Sequence, residues 1–87
     1  MQAMIDTSQI REVLRSLDAM SGVVDGVSDE DDLFEKGLDS FGSVQLMLAL
    51  EERFDCEFPD ALLNRRSFST IRVIRDTVAG LVRAEAA

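Results

Sequence analysis

Apolar residues recur at helical spacing in three stretches of the chain. Ile10, Val13, Leu14 and Leu17 form the first stripe, with Met20 adding to it. Residues three and four apart share a helix face, so the stripe predicts an amphipathic helix. Asp6, Thr7 and Ser8 offer oxygens to start it, and Ser21-Gly22 offers the stop. A second helix is predicted over about 41–54, opened by Ser40. Leu46, Leu50 and Phe54, with Met47 beside them, form its core stripe. Phe41, Val44 and Leu48 form another apolar stripe, displaced around the same helix. In a domain this small, partial exposure of that second stripe is expected. Ile71, Ile74, Val78 and Leu81, flanked by Val82, predict a last helix capped by Ser69 or Thr70.

The connections carry information too. The stretch from about Val23 to Asp39 holds Gly26, Gly37 and the acidic run Asp29-Glu30-Asp31-Asp32. Leu33, Phe34 and Leu38 are expected to turn inward and pin it to the core. So long a loop is uncommon in a compact domain unless it has a task. Pro59-Asp60 marks a further start, predicting a short helical piece over 60–65. The sum is an all-α fold, a small four-helix bundle of three main helices plus one short helix, with a long first loop. It reads as one domain over 1–87, with an ordered core about 6–83.

Charge narrows the partners. The chain has 87 residues, with 9 Lys and Arg against 17 Asp and Glu and no His, a formal net charge of −8. Nucleic acid and anionic membranes demand a cationic patch, so neither is expected as a partner. A basic groove on another protein is the natural complement. Solubility alone also accounts for such acidity. Cys56 is the sole cysteine, which rules out an internal disulfide and suits a reducing compartment. It reads as a small packing residue. Residues 1–6 lack a signal-peptide pattern, and the longest apolar run, Leu46 to Leu50, is too short to span a bilayer. A cytoplasmic monomer is expected.

Chemistry is sparse. Without His, and with one Cys lacking a base, the chain has no nucleophile–base–orienter set, so no catalytic residue is predicted. No metal site is predicted either: residues 29–32 lack the alternating ligands and central Gly of a calcium loop. At most they bind divalent ions weakly, and their mutual repulsion predicts that salt or magnesium stabilises the fold. Asp39-Ser40 before an apolar helix is an N-cap signal in which the serine oxygen accepts from free N–H groups. The same serine sits at the positive end of a helix dipole, where a phosphodiester is favoured. With no local base its hydroxyl keeps ordinary low reactivity, so another enzyme would have to modify it.

Gly37-Leu38-Asp39-Ser40-Phe41 resembles the attachment motif of acyl carrier proteins, usually Gly-x-Asp-Ser-Leu, with Phe41 a conservative departure. Asp32-Leu33-Phe34 before it, and Val44, Leu46, Ala49-Leu50-Glu51-Glu52, Phe54-Asp55 and Pro59-Asp60 after it, follow the family's register, so that residues 8–82 can be laid on the family. The resemblance implies a 4'-phosphopantetheine arm moved from coenzyme A onto Ser40 by a phosphopantetheinyl transferase, with Asp39 as the motif neighbour. Cargo would ride on the arm's thiol as a thioester; Cys56 is not that thiol. Phe41, Val44 and Leu48, with Glu51 and Glu52 nearby, would form the docking surface, unless the stripe is simply core.

Two departures from fatty-acid carriers narrow the resemblance. Gly42, Gln45 and Arg53 stand where acidic residues are usual. The segment Leu62-Leu63-Asn64-Arg65-Arg66-Ser67-Phe68 is basic, apolar and slightly long. With Ser43-Val44-Gln45-Leu46-Met47-Leu48 it resembles the stand-alone aminoacyl carrier proteins, charged with glycine or alanine by ligases similar to seryl-tRNA synthetase. A downstream enzyme would accept the aminoacyl group. Arg65 and Arg66 are then candidate partner contacts, with plain solvated charge as the alternative. The competing function is a non-catalytic helical interaction module in which Ser40 is only a helix cap.

Overall fold

The computed structural model describes residues 5–86 and is built from three α-helices and three 3-10 turns. Residues 1–4 and 87 of the single domain expected over 1–87 lie outside the described residues. Helix α1 is Thr7–Arg15, α2 is Ser40–Phe54 and α3 is Ile71–Ala86. The 3-10 turns are Val24–Gly26, Asp60–Leu62 and Arg65–Phe68. Among the described residues there is no strand. All three predicted helical stripes supply the core: Ile10 and Leu14, Leu46 and Leu50, and Ile71, Ile74 and Val78 are buried together.

Local chemistry sets the ends of the helices. Asp6 caps α1 through a reciprocal pair, its carboxylate accepting from the Gln9 N–H at 3.1 Å while the Gln9 side chain accepts from the Asp6 N–H at 2.9 Å. The helix ends well before Ser21-Gly22. The Ser16 hydroxyl donates to the Val13 carbonyl at 2.6 Å and the Leu17 N–H bonds Leu14 at 3.0 Å, so the backbone tightens into turns there. Leu17 and Met20 stay buried even so, because those turns still pack on the core. Thr70 caps α3, accepting from the Val73 N–H at 3.0 Å. The short helix expected over 60–65 takes the form of two separate 3-10 turns, the second capped by Asn64, which accepts from the Ser67 N–H at 3.0 Å.

The long loop is held by a latch. Arg11 donates to the Val24 and Val27 carbonyls at 3.0 and 2.9 Å and pairs with Asp29 at 2.6 Å. Leu33 bonds back to the Ser69 carbonyl at 2.7 Å, and Leu33 and Leu38 are buried. The acidic run is not a crowd of repelling carboxylates. Asp29 pairs with Arg11 and Glu30 with Arg72, while Asp31 accepts from the Ser28 N–H and Asp32 from the Phe34 N–H, each at 2.9 Å. Two charges of the run are thus paired and the other two accept backbone N–H groups, which lessens the local repulsion behind the expected salt or magnesium effect. Among the described residues no group of three or more His, Cys, Asp or Glu could hold a metal ion. The loop then enters α2 through Gly37, whose φ of 125° lies in the region that favours glycine.

Candidate functional site

The site is built at the start of α2. Asp39 is the N-cap, with extended backbone and a carboxylate that accepts from the Gly42 N–H at 2.7 Å. Ser40 is the first residue of the helix proper, so it cannot be the cap. Its hydroxyl makes no hydrogen bond among the described residues, and the residue is exposed. The reading of Ser40 as a capping oxygen is thus corrected: its neighbour takes that role and leaves the hydroxyl free. Ser43, the nearest other hydroxyl, donates to the Ser40 carbonyl at 2.8 Å. Gly42 fits tightly, since a Cβ there would meet Leu38 Cδ1 at 3.0 Å and Asp39 Oδ1 at 3.2 Å.

A groove of about 380 Å³ opens beside Ser40. Val44 and Met47 of α2, Phe34 of the long loop, and Leu63 and Arg65 line it. Arg65 lies over the Phe34 ring, its guanidinium carbon 4.2 Å from the ring centroid. Among the described residues no carboxylate lines this groove.

The second apolar stripe of α2 faces outward. Phe41 is 72% exposed, Val44 52% and Leu48 55%, values that exclude simple core packing. Leu63 adds a further exposed apolar residue to the lining of the groove. Leu48, Glu51, Glu52 and Asp55 border a common depression, so the stripe leads into an acidic end. Glu52 is exposed there. Glu51 is partly committed elsewhere, its carboxylate accepting from the Phe58 N–H at 2.8 Å. Arg66 is exposed and lies outside the groove. Cys56 is buried, in agreement with a packing role. Sequence reasoning missed two features, the Arg65–Phe34 stack and the part of Leu63. Both depend on a long-range approach between loop and 3-10 turn that no local pattern announces.

An exposed serine with an unbonded hydroxyl, on a helix first turn beside a groove, fits a phosphodiester-linked arm. The helix dipole favours negative charge there. The family defined by the phosphopantetheine attachment site matches residues 8–82. The chain belongs to that carrier family.

Members of this family carry covalently attached 4'-phosphopantetheine and are non-catalytic, so the chain is a carrier and not an enzyme. Its fold is that of carrier proteins. It is 56% identical over 69 residues to an aminoacyl carrier protein of Agrobacterium fabrum, covering 79% of this chain and 83% of the relative. It is 37% identical over 76 residues to a D-alanyl carrier protein of Streptococcus gordonii, covering 84% and 94%. A solved structure of an engineered Bradyrhizobium japonicum glycine:[carrier protein] ligase with a carrier protein from Agrobacterium tumefaciens and ATP contains a chain similar to this one. The identity is 53%, the TM-score 0.78, and the coverage 84% of this chain and 95% of that one. No helix among the described residues is long and apolar enough to cross a membrane.

Proposed function

We propose that Ser40 holds the phosphopantetheine arm of this carrier and that its cargo is a small amino acid, glycine or alanine. The observation that carries the proposal is the Ser40 hydroxyl: exposed, unbonded among the described residues, and set on a rigid first turn. Asp39 fixes that turn through Gly42, so the oxygen is presented at one place without being consumed by the cap. With no His, and with the Asp39 carboxylate taken up by the Gly42 N–H, a phosphopantetheinyl transferase has to deprotonate Ser40 and transfer the arm from coenzyme A. Bound there, the arm supplies a thiol that holds cargo as a thioester at high effective concentration near each partner.

The amino-acid cargo is supported by the relatives, an aminoacyl and a D-alanyl carrier protein, and by the carrier held by a glycine:[carrier protein] ligase. The loading enzyme is then an ATP-dependent ligase similar to seryl-tRNA synthetase, and a second enzyme accepts the aminoacyl group, both in the cytoplasm. Phe41, Val44 and Leu48 form the apolar centre of the docking surface and Glu52 its acidic edge, with Arg65 in the groove and Arg66 exposed outside it. Incubation with ATP and either glycine and a glycine:[carrier protein] ligase or alanine and an alanine-loading ligase tests the cargo. Holo protein should gain the mass of one glycyl or one alanyl group and Ser40→Ala protein none. A holo protein that takes neither glycine nor alanine would sink the cargo assignment.

A further inference from the structure

We propose that Arg65 is the counter-charge for the phosphodiester joining the arm to the protein, and so a positioning residue for the arm. The inference rests on the Ser40 assignment and goes beyond it. Arg65 and Ser40 line the same groove of about 380 Å³. Among the described residues Arg11, Arg15, Arg53, Arg72 and Arg75 each pair with a carboxylate, whereas Arg65, like Arg66, is in no ion pair; Arg65 differs from Arg66 in lining the groove. Arg65 is stacked instead on the Phe34 ring, its guanidinium carbon 4.2 Å from the centroid.

Stacking accounts for where the guanidinium is, but not for all it can do. A ring beneath the guanidinium occupies its flat face and leaves the N–H donors along its edge available. Those donors match two phosphate oxygens in a bidentate fork. Among the described residues no carboxylate lines the groove to compete for them. The anion that the carrier itself brings to this groove is the phosphodiester on Ser40. Arg65 then holds the base of the arm, and its charge disfavours entry of the cationic ammonium of an aminoacyl cargo. Arg66, its neighbour, is exposed and outside the groove, which makes it the control.

The test uses wild type, Arg65→Gln and Arg66→Gln, each as apo and as holo protein. Melting temperature and the 31P chemical shift of the attached phosphodiester are measured at low and at high salt. Attachment should raise the melting temperature of wild type above its effect on Arg65→Gln by about 1–6 °C at low salt, and by less in about 1 M salt. The 31P shift should move in Arg65→Gln and stay in place in Arg66→Gln. A purely structural role through Phe34 would lower apo and holo proteins equally and leave the 31P shift unchanged, which overturns the proposal. Equal effects of the two substitutions overturn it as well, in favour of diffuse charge. Intact mass of each sample, and of a Ser40→Ala control treated in the same way, separates the possible failures: an arm that does not depend on Ser40 overturns both assignments, whereas an arm on Ser40 without the Arg65 effect overturns only this one.

Discussion

The carboxylate of Asp39 caps α2 by accepting the Gly42 N–H at 2.7 Å. The assignment of that bond decides how the neighbouring serine can be tested. Asp39→Ala removes the cap and should cost about 1 kcal/mol, lowering the melting temperature by roughly 4–8 °C. Ser40→Ala should stay within about 0.5 kcal/mol of wild type, as an exposed substitution away from structural features does. Thermal melts of the two apo variants check this. The reverse order would restore the serine as the cap.

The Arg11 latch predicts a larger effect than its ion pair alone. Removal of an exposed ion pair costs about 0–1 kcal/mol. Arg11→Ala also strips donors from the Val24 and Val27 carbonyls, so a loss of about 2 kcal/mol is expected. Hydrogen exchange should accelerate selectively over residues 24–33. A uniform change across the molecule would mean that the loop is held by its apolar residues.

Helix α2 ends on Asp55 with φ 53° and ψ 54°, a left-handed conformation that costs an L-residue energy. Asp55→Gly relieves that cost but loosens the unfolded chain, so a net gain of roughly 0.5 kcal/mol is expected. Asp55→Val should destabilise. Urea titration of both variants measures the signs.

Acid should release one specific contact. The Ser28 backbone N–H, bonded to Asp31, holds the Asp31 carboxyl below its ordinary value of 3.8, with smaller help from the Ser28 hydroxyl and Lys36. A depressed folded-state pKa means that the contribution is full above about 3.8 and fades as pH falls through the lowered value. Asp31→Asn should remove that part of the acid dependence. Melts of the two proteins from about pH 5 to pH 2 that differ by a constant amount would contradict the assignment.

The helix periods were legible because burial imposes them: Ile10 and Leu14, Leu46 and Leu50, and Ile74 and Val78 repeat at the spacing of one helix face and are all buried. Exposure of Phe41, Val44 and Leu48 was legible for a related reason, since a helix in so small a domain cannot bury two separate stripes. Boundaries were harder. The Ser16 bond to the Val13 carbonyl ends α1 early, and a serine in a polar stretch gives no notice of which acceptor it will choose. Asp39 and Ser40 are adjacent and both cap helices well, so composition alone could not choose between them. The acidic run looked like unrelieved repulsion because its partners, Arg11 and Arg72, lie far away in sequence.

The carrier assignment of Ser40 is tested most directly by intact mass, before and after incubation of apo protein with coenzyme A and a broad-specificity phosphopantetheinyl transferase. Wild type and Ser43→Ala should each gain one phosphopantetheine, and Ser40→Ala none. A gain that survives Ser40→Ala, or no gain by folded wild-type protein, would contradict the assignment.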